Sequence, residues 1–166
     1  PGGVLAITGS SGAPVLVPHG CHTVHGSRRA RASDWFDLAS LTKVVATTSV
    51  IMLAVDRGLL GLDDPLVRFL PEFGTDPSGD AGRRRQVTFR HLLTHSAGLP
   101  AHIPFYREPA LPAGGCLERV CAVAPGTEPG TETVYSDIGV MLLGFALDRV
   151  WGCPWVQVLK HRLLQP

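Results

Sequence analysis

Short apolar runs near the start of the chain are followed by longer apolar segments with helical spacing. Gly3–Ile7 and Val15–Val17 are β-prone, and the turn-forming residues Gly9–Gly12 lie between them. This arrangement predicts two paired strands joined by a turn. A third short run near His22–His25 predicts a further strand, and the polar, basic residues 26–33 predict a connector.

The first predicted helix runs from Leu41 to about Arg57, where Gly58 provides a stop signal. After Lys43 the sequence carries no charge as far as Val55, and apolar residues and threonines occupy every side. This pattern is typical of a helix that is buried all round. The segment is too short and too rich in threonine and serine to span a bilayer.

Later segments alternate predicted helices with loops. A short helix is expected from about Leu62, with aspartate at its start and Pro65 in its first turn. Residues 71–86 and 97–134 predict loops, and a long irregular stretch within a compact domain is often functional, for instance as the wall of a cleft. The other predicted helices are Thr88–His95, capped by Thr88, a short one around Leu117–Val123, Ile138–Val150 and Val156–Leu164.

Two or three strands followed by helices indicate an α+β fold. We expect one domain of 166 residues, in which residues 1–33 supply strands and a connector and residues 34–166 form a mainly helical part. The chain begins at Pro1 rather than at a methionine. We interpret it as a piece of a longer protein, in which any signal peptide would lie upstream.

Composition and charge exclude several classes of protein. Hydrophobic residues make up 45% of the chain and mean hydropathy is +0.17, which indicates a globular rather than a disordered protein. The net charge of +1 and the lack of a basic helix or arm argue against nucleic acid as a partner. The run Arg83–Arg85 is expected to be a solvated turn. Four cysteines show no metal-site spacing and leave the redox compartment open.

Ser40 and Lys43 place a hydroxyl and an amine three residues apart at the start of the first predicted helix. Positions i and i+3 of a helix share one face. A neutral lysine amine can take the proton of a serine, and burial lowers a lysine pKa because it disfavours the charged form. Spacing alone is equally compatible with a serine at a helix N-terminus and an unrelated lysine.

Tyr135, Ser136 and Asp137 form a second candidate group, on a turn just before the helix predicted from Ile138. Taken alone, this turn is more typical of a tyrosine with a local hydrogen-bond partner and an aspartate N-cap. Its meaning therefore depends on the motifs that accompany it along the chain.

Four motifs occur in order along the chain: FDLASLTK at Phe36–Lys43, LDDPLVRFLPEF at Leu62–Phe73, VTFRHLLTHSAGLP at Val87–Pro100, and PGTETVYSD at Pro129–Asp137. Together they resemble the serine β-lactamase and penicillin-binding-protein superfamily, in particular its class C-like branch. Four motifs at compatible separations are far more specific than Ser-x-x-Lys alone. The resemblance covers Gly2–Pro166 and implies a relative of D-Ala-D-Ala carboxypeptidases, β-lactamase-related hydrolases and esterases.

This resemblance implies a role for each matching residue. Ser40 matches the nucleophile that becomes acylated, and Lys43 matches the lysine that activates it. Tyr135 matches a tyrosine that shares the general-base work with the lysine. Asp137 stands where the family usually has an asparagine that hydrogen-bonds the substrate amide and the lysine. A carboxylate has no N–H to donate and favours a charged Lys43, so we expect a changed substrate preference or pH profile.

The third motif of the family, Lys/His-x-Gly on a β-strand, does not occur in this sequence. In the family that strand supplies one oxyanion-hole N–H, the other coming from the nucleophile, and losing one such donor lowers the rate about 10²–10³-fold. Strands that would pair with Gly3–Ile7 and Val15–Val17 are missing as well, so we expect exposed sheet edge and apolar surface. The chain alone is therefore expected to be poorly soluble and nearly inactive, whereas its full-length parent is expected to be active.

Two groups of histidines raise the question of a metal site. His91 and His95 are spaced i, i+4 but lack the glutamate of the His-Glu-x-x-His motif. The histidines and the cysteine within His19–His25 are more typical of exposed polar residues on a hairpin. We expect no metal and no organic cofactor.

The sequence contains no Gly-x-Ser-x-Gly elbow, phosphate loop or dinucleotide fingerprint. We predict a serine hydrolase that forms an acyl-enzyme with a small-molecule or peptidoglycan-like substrate: a D-Ala-D-Ala peptide, a β-lactam or an ester. The alternative is a penicillin-recognising sensor or scaffold without turnover. Muropeptide or antibiotic substrates would place the parent in the bacterial envelope, and the oligomeric state stays open.

Overall fold

In a computed structural model of the chain, the structure describes residues 1–10, 12–75, 81–107 and 115–165. The chain divides into two compact units, Pro1–Ala39 and Ser40–Pro166. The predicted α+β class is confirmed, because the first unit holds a pair of strands and the second is helical. No helix within the described ranges is both long and apolar enough to cross a membrane.

The first unit is built on an antiparallel pair of strands, β1 (Gly3–Ile7) and β2 (Val15–His19). Their register pairs Gly3 with His19 and Ile7 with Val15, which confirms the predicted strand pair. All five residues of β2 are exposed. Because two strands cannot bury a sheet face by themselves, their apolar side chains stay in contact with solvent in this unit.

The third strand predicted near His22–His25 is wrong. That segment turns back on itself instead, since Gly26 N–H donates to Thr23 O at 3.2 Å, and only an isolated bridge between Cys21 and Arg29 follows β2. The His22 side chain lies 2.9 Å from Asp34, and the carboxylate of Asp34 also accepts the Arg31 N–H at 2.7 Å. These side-chain contacts hold the connector in place of a strand ladder.

In the second unit, a π-helical segment, Lys43–Thr48, continues directly into α1 (Ser49–Asp56). Two short 3₁₀ turns, Leu66–Arg68 and Pro71–Gly74, follow. The remaining helical elements are α2 (Ala81–Gln86), α3 (Phe89–Leu93), a 3₁₀ turn at Phe105–Arg107, α4 (Gly115–Cys121), α5 (Asp137–Trp151), α6 (Trp155–Leu159) and a π-helical end, Lys160–Leu164.

Helix α5 is the centre of this unit, and it packs against α1, α3, α4 and α6. The apolar side chains that the helices and turns direct toward it are excluded from water, which supplies most of the stabilisation of the unit. The buried core residues include Val50, Ile51, Leu66, Leu70, Phe73, Phe89, Leu92, Val120, Ile138, Leu142, Leu143 and Leu147.

The prediction that the first helix is buried all round is wrong for this chain. Val50, Ile51 and Ala54 are buried on one side, but Val44 is exposed and Met52 is 65% exposed. Apolar side chains occur on all sides of this helix, but the described part of the chain packs against only one side of it.

The segment predicted as a loop over residues 71–86 contains a 3₁₀ turn and helix α2. Arg84, which was expected on a solvated turn, is only 2% exposed. Its guanidinium donates to the backbone oxygens of Phe73, Cys121 and Ala122 at 2.5 to 3.2 Å. A buried guanidinium needs such acceptors, and these come from segments distant in sequence, which no local pattern reveals.

Candidate active site

Ser40 and Lys43 lie together where the π-helical segment begins. Ala39 precedes them in a left-handed conformation with φ 45°, which is strained for a non-glycine residue. The Lys43 N–H donates to Ser40 O at 3.1 Å, which closes one tight turn. Lys43 Nζ donates to Ser40 Oγ at 3.2 Å, as the i, i+3 spacing predicts.

The Lys43 ammonium is held by three side chains of the second unit. Besides Ser40, it lies 2.8 Å from Asp137 Oδ1 and 4.9 Å from the centre of the Tyr135 ring. Its side chain is 18% exposed, so it does not extend into bulk water.

The pKa of Lys43 is raised above its usual range, contrary to the lowering predicted from helix burial alone. Burial is the largest single influence on this pKa and acts to lower it, but hydrogen bonds to Asp137 and Tyr135 and their charges together outweigh it. Lys43 is therefore charged at neutral pH. The expectation that Asp137 would favour a charged lysine agrees with this direction.

The Tyr135 hydroxyl meets the same two side chains. Hydrogen bonds to Lys43 and, next in size, to Ser40 lower the pKa of Tyr135. A nearby cation stabilises the phenolate, which is the form that can accept a proton. The structure thus brings Ser40, Lys43 and Tyr135 together, with half of the tyrosine side chain open to solvent.

The turn that carries Tyr135 is fixed by Ser136, and the aspartate N-cap considered from the sequence is wrong. Ser136 Oγ accepts the Gly139 N–H at 3.1 Å and donates to Pro100 O at 2.7 Å, so serine is the N-cap of α5. Asp137 is the first residue of α5, and its N–H donates to Ala101 O at 2.8 Å. Its carboxylate is therefore free to face Lys43.

Asp137 joins Lys43 to a residue that the sequence did not single out. His102 Nδ1 lies 3.1 Å from Asp137 Oδ2, on the opposite oxygen from the one that Lys43 contacts. Hydrogen bonds to Lys43 first and then to His102 outweigh partial burial and lower the pKa of Asp137, which keeps it ionised. The only sequence signal for His102 is its place in the long irregular stretch from residue 97.

A cavity of about 280 Å³ adjoins this acidic residue. Apolar and aromatic side chains form most of its wall, and His102, Asp137 and Tyr106 are its lining residues with polar side-chain groups. Such a lining suits an apolar group of a bound molecule. The wall consists of His102, Ile103, Phe105, Tyr106, Asp137, Ile138 and Met141.

His91 and His95, whose spacing raised the question of a metal site, have other partners. His91 Nδ1 accepts the Thr88 N–H at 3.3 Å in a capping box at the start of α3, where Thr88 is the N-cap as predicted. His95 Nδ1 accepts the Ser136 N–H at 3.1 Å. In the described part of the chain, no group of three or more His, Cys, Asp or Glu side chains is arranged to hold a metal ion.

Comparison with known proteins places this geometry in context. The family model described as Beta-lactamase matches residues 1–166. A putative D-alanyl-D-alanine carboxypeptidase of Escherichia coli K12 is 30% identical over 145 residues, which cover 83% of this chain and 33% of that protein.

Two solved structures are similar across most of the chain. EstCE1, a hydrolase with promiscuous acyltransferase activity, has 28% identity and a TM-score of 0.75, covering 92% of this chain and 42% of its own. A class C beta-lactamase in complex with cefoxitin has 25% identity and a TM-score of 0.74, covering 99% and 43%. The chain thus spans about a third of the length of the curated relatives and less than half of these solved structures.

Proposed function

Because the chain belongs to the beta-lactamase family, we propose that it carries the nucleophile and proton-transfer groups of a serine hydrolase that works through an acyl-enzyme. The observation that carries the proposal is the meeting of the Ser40 hydroxyl with the Lys43 ammonium at 3.2 Å, beside a tyrosine whose pKa is lowered. A nucleophilic serine needs adjacent groups that can take its proton, whereas a serine with a purely structural role has no such requirement.

In the acylation step, the Ser40 Oγ atom attacks the substrate carbonyl carbon, and its proton passes to the Tyr135 phenolate. The charged Lys43 stabilises both the phenolate and the developing negative charge. When the tetrahedral intermediate collapses, the bond to the leaving group breaks, and Tyr135 returns the proton to that group. Ser40 is left as an ester, which water later hydrolyses by the reverse proton movements.

This assignment gives Tyr135 the role of the base and Lys43 that of a stabilising cation. The directions of their two pKa values support it, since the lysine is held charged while the phenol is made more acidic. Asp137 maintains the charge of Lys43 through the ion pair at 2.8 Å. The Ser40 N–H would supply one donor to the oxyanion, and we assign the second donor to the strand motif that this sequence does not contain.

The substrate that we propose is a small amide, β-lactam or ester, or a peptidoglycan-like peptide, with an apolar group next to the reacting carbonyl. The cavity beside Asp137 supports this apolar preference. The similarity to a putative D-alanyl-D-alanine carboxypeptidase supports a cell-wall peptide as one such substrate. On that basis we also propose the bacterial envelope as the location of the whole protein.

Intact-mass measurement of the full-length natural protein with a fluorophosphonate probe and with a penicillin tests the proposal. We expect one covalent adduct in the wild type and none in Ser40→Ala, which removes only the hydroxyl. A wild-type protein that stays unmodified, or a Ser40→Ala variant that is modified equally, would show that the nucleophile is wrong.

The same measurement separates an enzyme from a sensor. If the penicillin adduct disappears while free product accumulates over many turnovers, the protein is a hydrolase. If one equivalent of adduct forms quickly and then persists, the penicillin-recognising sensor is the better description. We expect turnover, because the lowered pKa of Tyr135 also suits the activation of water.

A further inference from the structure

His95 occupies a backbone position where glycine is usually found. It follows the C-cap Thr94 of α3 and has φ 57°. The His95 N–H donates to Leu92 O at 3.2 Å and the Ser96 N–H donates to His91 O at 2.7 Å, which is the hydrogen-bond pattern of a Schellman motif. A left-handed conformation costs a non-glycine residue about 1–2 kcal/mol, so the histidine side chain should contribute something that glycine cannot.

The imidazole of His95 contacts the segment that carries the tyrosine of the candidate site. Its Nδ1 atom accepts the Ser136 N–H at 3.1 Å, and its ring centre lies 4.6 Å from that of Tyr135, with the ring planes tilted by 43°. One contact is therefore made with Tyr135, whose hydroxyl belongs to the candidate site, and the other with the next residue, Ser136. Ring contact of this kind limits the positions that the tyrosine side chain can adopt.

We propose that His95 is a positioning residue, which holds the Tyr135 ring beside Ser40 and Lys43 through the unprotonated Nδ1 atom and the face of its imidazole. The proposal rests on the function proposed above for Tyr135. It adds that the position of the phenol depends on a histidine that does not itself touch the reacting atoms.

The backbone of His95 gives this segment a separate connection. The Val134 N–H donates to His95 O at 2.9 Å, and the Gly130 N–H donates to Ser96 O at 2.7 Å. These two bonds need no side chain at residue 95, so we expect them to survive its replacement. A change at His95 that keeps the left-handed backbone therefore removes only the Nδ1 acceptor and the ring contact.

Protonation of His95 would break the arrangement. Because Nδ1 accepts the Ser136 N–H, the neutral ring carries its proton on Nε2, and a second proton can bind only at Nδ1. Burial first and the charge of Lys43 second lower the pKa of His95, against an opposing influence from Asp137. Among the described residues, Lys43, Asp137 and Tyr135 are titratable groups that face this ring from the π-helical segment, α5 and the preceding turn.

His95 and Lys43 also line one small cavity of about 60 Å³, together with Thr47 and Thr48. A positive charge on His95 would therefore repel Lys43 as well as lose the Ser136 hydrogen bond. Both effects displace the phenol and its cation at acid pH. At neutral pH the ring is uncharged and the bond is present.

The test measures the rate at which a fluorophosphonate labels Ser40 in the full-length natural protein, as a function of pH. His95→Gly suits the left-handed backbone but has neither acceptor nor ring. His95→Asn tolerates this backbone and places Oδ1 where Nδ1 was, but it does not titrate. His161→Asn, at an exposed position outside the site, is the matched control.

We expect His95→Gly to fold with an unfolding midpoint close to that of the wild type and to label on the order of 10²-fold more slowly, because small misplacements of a reacting group have effects of this size. His95→Asn should recover most of that loss. Its rate should fall less steeply than the wild-type rate at acid pH, because Tyr135 still titrates in this variant whereas residue 95 does not. His161→Asn should match the wild type. A His95→Gly variant that labels at the wild-type rate with the wild-type pH profile would overturn the proposal.

An NMR measurement separates this inference from the proposed function. Scalar coupling across the N–H···N hydrogen bond reports whether the Ser136 amide is bonded to His95 Nδ1, and the Tyr135 ring signals report its position. If the wild type is not labelled at any pH, the proposed function fails and this measurement alone decides the role of His95. Coupling in the wild type, with a Tyr135 ring that moves in His95→Gly, supports the role, and an unmoved ring contradicts it.

Discussion

Arg84 and Lys43 are both cations held within the helical unit, but their surroundings differ in kind. Arg84 is buried and donates to backbone carbonyl oxygens of the Phe73 and Cys121–Ala122 segments. Lys43 is partly exposed and contacts three side chains, which are a hydroxyl, a phenol and a carboxylate. Carbonyl oxygens do not titrate, whereas the phenol and the carboxylate around Lys43 do.

This difference separates a cation that stabilises a fold from one suited to chemistry. A guanidinium among fixed acceptors joins three segments and keeps its charge at any physiological pH. An ammonium among titratable groups has a pKa that depends on their charges, and it changes their pKa values in return. If burial of charge were the criterion, Arg84 would be the better candidate for the functional cation. The chemical identity of the partners indicates Lys43 instead.

The first prediction concerns Lys43→Met, which removes the ammonium and keeps most of the side-chain volume. If Lys43 stabilises the Tyr135 phenolate, labelling of Ser40 by a fluorophosphonate should slow by about 10²–10⁴-fold, the usual contribution of a proton-transfer group. The free energy of unfolding should change by about 1 kcal/mol or less, since the lost ion pair is partly exposed.

Lys160→Met is the matched control, because Lys160 is exposed and is the other lysine of the chain. It should leave both labelling and unfolding unchanged. A Lys43→Met variant that labels normally but unfolds easily would place Lys43 in the same class as Arg84 and remove the distinction between them.

The second prediction concerns Arg84→Met, which should destabilise the protein by about 3 kcal/mol. Removing the guanidinium leaves three buried or partly buried carbonyl oxygens without this donor, at roughly 1 kcal/mol each. Urea unfolding measures this loss, and labelling of Ser40 in the folded fraction should stay at the wild-type rate.

The exposed neighbour Arg85 provides the control, and Arg85→Met should unfold like the wild type. An Arg84→Met variant with normal stability would mean that the carbonyl cluster contributes little. A loss of labelling with normal stability would mean that Arg84 acts on the site. The proposed difference between Arg84 and Lys43 would then be wrong.

The sequence could predict the part of this comparison that depends on local spacing. The i, i+3 relation of Ser40 and Lys43 holds in the structure, and so do the strand pair and the Thr88 cap. The buried state of Arg84 could not be predicted, because its acceptors come from backbone up to 38 residues away. The composition of residues 71–86 is typical of a polar loop, and it would be the same if Arg84 were exposed. Composition therefore carries no information about the burial of this side chain.

The charge state of Lys43 was harder to predict, because two opposing influences act on it. The apolar helix sequence argues for a low pKa, and the carboxylate of Asp137 argues for a high one. The 2.8 Å distance between their charged atoms, together with the hydrogen bond between Lys43 and Tyr135, decides which influence prevails. For the same reason, His102 was missed as part of the site and the contact of His95 with it could not be predicted, since both act through contacts with Ser136 and Asp137.

The third and smallest effect is expected from Asp137→Asn, which tests whether the partners of Lys43 set its pKa. Loss of the carboxylate removes an influence that raises the pKa of Lys43 and one that raises the pKa of Tyr135, so both values should fall. The labelling rate is expected to rise with pH as the phenolate forms and to fall again as Lys43 loses its charge. Both limbs of this pH profile should lie at lower pH in Asp137→Asn than in the wild type.

NMR titration of the lysine side chain checks the direction for Lys43 itself. His102→Gln serves as the control, since it removes the histidine next to Asp137 but keeps the carboxylate that faces Lys43. This variant should leave the pKa of Lys43 close to the wild-type value. If Asp137→Asn raises the pKa of Lys43 or leaves it unchanged, partners do not determine this cation's charge, and titratable neighbours cannot be what distinguishes Lys43 from Arg84.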